Sequence, residues 1–168
     1  MAARTLNDGL EDGAVDRADL ICVGGGLAGL VTAARASELG LRAIVLEQGT
    51  EADYPCNSRY SAGIFHASYK DLTLPPAQLR EAILQAGARD PTLVDAIADN
   101  AGRALSWMRA QGVKFMHAPA LSRGAWVMAP PRPVVSRMEW RGRGPDVALR
   151  TLSATYPSGW QCFCLPRR

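Results

Sequence analysis

The chain has 168 residues, enough for one domain with a core of its own, although short for an enzyme that also needs a complete substrate pocket. Apolar residues make up 48% of it and charged residues 21%, which excludes an intrinsically disordered protein. The net charge of +3 is too small to indicate a nucleic-acid-binding protein.

Residues 1–17 show no apolar periodicity and are predicted to be a flexible N-terminus. They lack the basic head and apolar stretch of a secretory signal, and no later segment has the length of a membrane span. The four cysteines lack the paired spacing of a zinc site. The prediction is a cytoplasmic protein with free thiols and no metal site, membrane-spanning segment or nucleic-acid partner.

The next segment alternates between strand-like and helical patterns. An apolar run at Asp19–Val23 is typical of a strand buried on both faces of a parallel sheet. Leu27–Leu39 is rich in alanine and leucine and ends before Gly40, and Leu41–Leu46 is again strand-like. Strand, helix and strand at this spacing predict the α/β class, with a Rossmann-like βαβ unit.

The rest of the chain is less regular. Residues 48–68 are predicted to be a long ordered loop, followed by one helix over about 75–88 and a second that is capped by Asp90 and stops at Gly112. A short strand is expected over 113–116, before an irregular region rich in proline and arginine. The apolar face predicted for the second helix consists of Leu93, Ile97, Ala101, Leu105 and Met108.

A glycine motif lies between the first strand and the first helix. Gly24, Gly26 and Gly29 have the spacing that gives a tight turn, a backbone that a pyrophosphate can approach and a close contact between helix and strand. Glu47 ends the second strand, where a carboxylate can accept hydrogen bonds from ribose hydroxyls and would repel the 2′-phosphate of NADP. Together these residues predict a dinucleotide site; the alternative is a turn and a solvated charge.

The loop after Glu47 favours FAD over NAD, because it continues into the polar segment Asn57–Gly63 instead of further alternating helices and strands. Asp19–Gly49 followed by Asn57–Gly63 resembles the N-terminal part of the fumarate reductase/succinate dehydrogenase flavoprotein family, a GR2-type fold. The segment from Asn57 to Tyr60 is most similar to tricarballylate dehydrogenase-like members. The resemblance extends to about Ala154.

The resemblance implies a role for each matching residue. Residues expected at the pyrophosphate are Gly24, Gly26, Ala28 and Gly29. Glu47 is expected at the ribose with Gln48 beside it, and residues expected on the flavin side are Asn57, Ser58, Ser61, Ala62 and Gly63. Asn57 stands where some relatives attach flavin through a histidine, so FAD is expected to be non-covalent. Ile64 and the segment Tyr54–Cys56 depart from the glycines common in the family.

The predicted organisation is a flexible segment over 1–17, a partial FAD-binding domain over 18–154 and an atypical tail over 155–168 that resembles a truncated or out-of-frame ending. The family's acid or base and its substrate-binding residues are expected beyond the matched region. The chain is therefore interpreted as the N-terminal part of an oxidoreductase that transfers hydride to or from a carbon next to a carboxylate or carbonyl. A carboxylic acid is the expected substrate, and the redox partner is unknown.

Two alternatives remain open. The first is a non-catalytic module that binds an adenine nucleotide or a partner protein. The second is a flavoenzyme of another type, such as a ketosteroid dehydrogenase or an amine or aspartate oxidase. His66 and His117 are expected to be ordinary surface or core residues. The arginines from 132 to 150 are expected on a solvated or phosphate-facing surface, and Trp107 in the core.

Overall fold

The computed structural model describes residues 4–5, 17–49, 51, 53–117, 125–131, 139–155 and 160–164. Two compact units make up the chain. The first unit joins Met1–Tyr60 to Asp146–Arg168, and the second is the continuous segment Ser61–Pro145. The predicted domain boundaries at residues 17 and 154 stay a prediction.

The first unit contains a four-stranded parallel sheet in the order β1-β7-β3-β2. Its strands are β1 (Arg4–Thr5), β2 (Leu20–Val23), β3 (Ala43–Glu47) and β7 (Trp160–Cys164). Helix α1 (Leu27–Glu38) connects β2 to β3 and packs on both strands through Leu30, Ala33 and Ala34. The predicted α/β fold with a βαβ unit is confirmed.

The two strands that α1 connects, β2 and β3, differ in burial. Ala43 and Val45 of β3 are fully buried, as expected for an inner strand. The prediction that the first strand is buried on both faces is wrong, because Ile21 and Val23 of β2 are 58% and 83% exposed. β2 forms the edge of the sheet, and within the described residues α1 covers one of its faces.

Strands β1 and β7 were not predicted. Residues Arg4–Thr5 lie in the segment expected to be flexible, and they pair with Phe163–Cys164. Residues 160–164, which match no predicted element, pair in register with β3 from Ala43 to Glu47. A five-residue run with tryptophan and phenylalanine is compatible with a strand, and β3 supplies the hydrogen-bonding edge that the local pattern cannot reveal. Residues 156–159 and 165–168 lie outside the described residues.

The segment predicted to be a loop contains two short elements, α2 (Asn57–Tyr60) and β4 (Ile64–Phe65). In the second unit, β4 joins β5 (Phe115–His117) and β6 (Trp126–Met128) in an antiparallel sheet of order β4-β6-β5. The strand expected over 113–116 is β5, which starts two residues later, at Phe115. In the region predicted to be irregular, residues 118–124 and 132–138 lie outside the described residues, whereas β6 and helix α5 (Gly144–Thr155) are regular.

Helices α3 (Pro76–Gln85) and α4 (Pro91–Ala110) pack on each other in the second unit. As predicted, Asp90 caps α4, and its carboxylate accepts the N–H groups of Thr92 and Leu93. Leu105 and Met108 are buried as predicted, whereas in the first half of the helix Val94 and Ala98 are buried in place of the exposed Leu93 and Ile97. Both adjacent stripes are apolar, so periodicity alone cannot choose between them. Within the described residues, no helix combines the length and apolarity needed to cross a bilayer.

Candidate FAD-binding site

The glycine turn connects the end of β2 to the start of α1. Gly24 has a φ of 103°, a conformation that side chains disfavour, and its N–H donates to the Leu46 carbonyl at 2.7 Å. A Cβ on Gly29 would collide with the Gly24 carbonyl oxygen. The spacing of the motif therefore lets α1 begin directly against the turn, as the sequence predicts.

Glu47 lies beside this turn at the end of β3 and is 5% exposed. One carboxylate oxygen accepts the Gly25 N–H at 2.8 Å, and the other accepts the Gly49 N–H at 3.0 Å. Each carboxylate oxygen has a second lone pair, so both can also accept a hydroxyl. Glu47 thus orients the turn and retains the capacity to bind a ribose.

The N-terminus of α1 has no acidic residue in its first turn and no capping side chain at Gly26. Ser58 of α2 contributes here, since its hydroxyl oxygen accepts the Leu27 N–H at 2.9 Å. Helix α1 therefore contributes no acidic residue of its own to the positive end of its dipole, although the Glu47 carboxylate lies beside Gly25, just before the helix, and a helix N-terminus suits a pyrophosphate. Bare glycine backbone, a helix N-terminus and a strand-end carboxylate fit the adenosine diphosphate half of FAD.

The structure brings together most of the predicted residues of the first unit: Gly24, Gly26, Gly29, Glu47 and Ser58. Ala28, Gln48 and Asn57 are exposed. The other three predicted residues belong to the second unit, where the Ser61 hydroxyl oxygen accepts the Gly63 N–H at 3.2 Å and Ala62 is exposed. Gly63 has a φ of 68°, and a Cβ there would lie 2.9 Å from Pro145 and 3.2 Å from Met128.

Three buried residues next to the turn were missed. Tyr54 donates its hydroxyl to the Gly25 carbonyl. The Arg59 guanidinium lies 4.9 Å from the centroid of the Tyr54 ring and forms an ion pair with Asp146. The sequence offers a weak signal for Arg59, which lies within Asn57–Tyr60, and none for Tyr54 or Asp146.

The histidines of the second unit have different surroundings. His66 is exposed, as expected, and its Nδ1 accepts the Tyr69 N–H at 3.1 Å. His117 is also exposed, as expected, and its Nε2 lies 3.3 Å from the Asp71 carboxylate. The Trp126 indole N–H donates to the same carboxylate at 2.8 Å. In the described part of the chain, no group of histidine, cysteine and acidic residues is arranged to hold a metal ion.

Burial raises the pKa of Asp71, but other contacts outweigh it and leave the pKa below its ordinary value of 3.8. They are the hydrogen bonds from the backbone and hydroxyl of Thr73 and from Trp126, together with the charge of His117. Asp71 is therefore a stable anion that links β5 to β6 through two side chains.

The tryptophans and arginines agree only partly with the prediction. Trp107 is half-buried, and Trp140 is buried with Arg141 stacked 4.6 Å from its ring. Arg150 is half-exposed, as a solvated arginine would be, but it bonds to Asp146 and lies 3.5 Å from Asp53.

Comparison with known proteins agrees with this geometry. The sequence profile of the FAD binding domain family matches residues 19–154. No curated protein matches the sequence. The 3-ketosteroid-Δ4-(5α)-dehydrogenase of Rhodococcus jostii RHA1, solved with 4-androstene-3,17-dione, has a TM-score of 0.65 at 14% identity over 96% of this chain. This chain spans 40% of that protein.

Two further solved structures show weaker likeness. The Sdh1 complex of Mycobacterium smegmatis in the apo form gives a TM-score of 0.49 at 14% identity, over 88% of this chain and 27% of that one. L-amino acid deaminase of Proteus myxofaciens with anthranilate gives 0.42 at 16% identity, over 96% and 41%. The profile match extends over most of the sequence, and the ketosteroid dehydrogenase shares its fold. The chain belongs to the FAD binding domain family of flavoproteins, and its cofactor is FAD.

Proposed function

We propose that this chain holds FAD for an oxidoreductase that dehydrogenates or reduces a carbon–carbon bond next to a carboxylate or carbonyl. The observation that best supports the FAD-binding part of this proposal is the convergence of the glycine turn, the helix N-terminus and Glu47 on one edge of the parallel sheet. The family match extends the proposal from an adenine nucleotide to the whole of FAD.

In this proposal, each part of the cofactor has its own residues. The pyrophosphate lies against Gly24, Gly26, Ala28 and Gly29, where backbone N–H groups and the helix dipole stabilise its charge. Glu47 accepts the ribose hydroxyls, with Gln48 beside it, and its charge excludes a 2′-phosphate. The residues proposed to approach the flavin are Asn57, Ser58, Ser61, Ala62 and Gly63.

Bound FAD supplies the ring that accepts or donates a hydride. The described residues bind and orient; an acid or base that moves the substrate proton is proposed to lie outside these 168 residues. This chain spans 40% of the length of the ketosteroid dehydrogenase, which supports the proposal that the acid or base lies elsewhere. The resemblance of Asn57–Tyr60 to tricarballylate dehydrogenase-like proteins favours a carboxylic acid substrate.

FAD is proposed to be held without a covalent bond, because Asn57 has no nucleophilic ring nitrogen. Acid precipitation of the FAD-loaded chain tests this directly. All flavin absorbance is expected in the supernatant, and yellow protein in the pellet would contradict the proposal.

Calorimetric titration with FAD and with ADP tests cofactor binding. Both ligands should bind, and FAD should bind more tightly because of its flavin contacts. ADP binding without any gain for FAD would favour the alternative of a non-catalytic nucleotide-binding module. Turnover of a steroid or an amine by the FAD-loaded protein would favour the alternative enzymes and would contradict the proposal that the acid or base lies outside these residues.

A further inference from the structure

Three buried side chains connect the glycine turn to helix α5. We infer that Tyr54, Arg59 and Asp146 are positioning residues that hold the peptide groups of Gly25 in the conformation that receives the pyrophosphate. This inference rests on the role proposed for the glycine turn. It concerns residues outside the glycine motif and its strand-end acid.

Side chains hold both polar groups of Gly25. Its N–H donates to Glu47 at 2.8 Å, and its carbonyl accepts the Tyr54 hydroxyl. A Cβ at this position would collide with that hydroxyl and would lie 3.2 Å from the Glu47 carboxylate. Gly25 therefore fits between two side chains, and its peptide groups cannot rotate without losing a buried hydrogen bond.

Tyr54 also packs against Gly49, where an added Cβ would lie 3.1 Å from the ring carbon Cγ. Gly25 and Gly49 are the two residues whose N–H groups donate to Glu47. Tyr54 thus contacts both donors of the carboxylate that is proposed to bind the ribose, and its position determines where that carboxylate points.

An ion pair that is itself buried fixes the position of Tyr54. The Arg59 guanidinium stacks on the Tyr54 ring at 4.9 Å and pairs with Asp146. The side chains of Arg59 and Asp146 are 1% and 0% exposed. Arg150, one turn along α5, donates to the two carboxylate oxygens of Asp146 at 3.1 and 3.2 Å. Asp146 is thereby held from two sides.

A buried ion pair is a poor way to gain stability, since apolar side chains of similar volume often do as well. Its advantage here is directional, because a planar guanidinium bonded to a carboxylate has a fixed orientation over the aromatic ring. A turn that is already in its binding conformation loses less conformational freedom when the ligand arrives, which increases affinity.

Tyr54→Phe tests the inference because it removes one hydroxyl and keeps the ring. Tyr69→Phe is the matched control, since Tyr69 is 72% exposed and outside this network. Loss of the buried hydrogen bond should raise the Kd for ADP and for FAD by a similar factor of about five to ten. Tyr69→Phe should leave both unchanged. A purely structural role would lower the melting temperature of Tyr54→Phe without changing either Kd measured well below melting, and that result would overturn the inference.

Amide hydrogen exchange at Gly25, followed by NMR without ligand, provides a second measurement. Tyr54→Phe should accelerate exchange at Gly25 relative to wild type, and Arg59→Lys should do so to a smaller extent because it retains the charge. Unchanged exchange in Tyr54→Phe would refute the inference even if affinity fell. If wild type bound neither ADP nor FAD, the proposed function would fail, and the exchange data would still decide whether the network holds the turn.

Discussion

Breaking the ion pair between Arg59 and Asp146 should destabilise the protein strongly, and the loss should depend on which of the two residues is replaced. In Asp146→Leu, the Arg59 guanidinium, which is 1% exposed in the wild-type protein, loses the carboxylate of Asp146. In Arg59→Met, Asp146 keeps its contacts with Arg150 at 3.1 and 3.2 Å. We therefore expect Asp146→Leu to be the more damaging of the two single substitutions.

Removing one partner of a buried pair costs about 3–5 kcal/mol, because the other charge stays buried. Asp146→Leu should lie near the top of this range and Arg59→Met near the bottom. For a chain of this length, each kcal/mol lowers Tm by about 2–4 °C, so the expected loss is roughly 6–20 °C. The double variant has neither charge of the pair. Its loss in the free energy of unfolding should therefore be about 2 kcal/mol smaller than the sum of the two single losses.

Urea and thermal unfolding of the four proteins, followed by circular dichroism, would measure the cycle. Asp95→Leu provides the control, because Asp95 pairs with Arg80 on the surface, where its side chain is 53% exposed. That variant should unfold with nearly the wild-type midpoint. Additive effects in the double variant, or a loss in Asp146→Leu no larger than in Asp95→Leu, would refute the reasoning.

Three further predictions concern single residues. Gly29→Ala should abolish ADP binding in calorimetry and destabilise the fold by about 1–3 kcal/mol, because the new Cβ collides with the Gly24 carbonyl. The control Thr32→Ala, at an exposed position of the same helix, should change neither ADP binding nor stability. Glu47→Gln should weaken ADP binding about tenfold or more, since the charged acceptor is lost; unchanged affinity would argue against a ribose role. The pKa of Asp71 is lower in the folded state, so its stabilising contribution is present above the unfolded pKa near 3.8 and is lost as pH falls through the folded pKa. Urea unfolding of Asp71→Asn should therefore show a flatter pH dependence below about pH 4 than wild type, and equal slopes would contradict this.

The sequence allowed the dinucleotide turn to be predicted because its requirements are local. Gly24 needs a positive φ, Gly29 must pack on a backbone, and Glu47 ends the strand that follows the first helix. Each requirement restricts the residue type at one position. The βαβ unit was predictable for the same reason, since its strands and helix are consecutive.

Features that depend on distant partners were missed. Asp146 lies 87 positions from Arg59, and nothing in either local sequence indicates the other. Likewise, β7 is defined by the edge of β3 and not by its own five residues. The buried face was misassigned in the first half of α4 because two neighbouring apolar stripes compete there, and the packing of α3 selects the one containing Val94 and Ala98.

The order of strands in the parallel sheet also constrains how the protein can form during synthesis. β7 lies between β1 and β3, and it pairs Ala43 with Trp160, about 117 positions further along the chain, so a long loop must close before the sheet is complete. The second unit is one continuous segment, and it leaves the ribosome before β7 does. We expect Ser61–Pro145 to be able to fold first, whereas β1 can pair only after β7 has been synthesised. A nascent chain halted before residue 160 would lack the strand that joins β1 to β3.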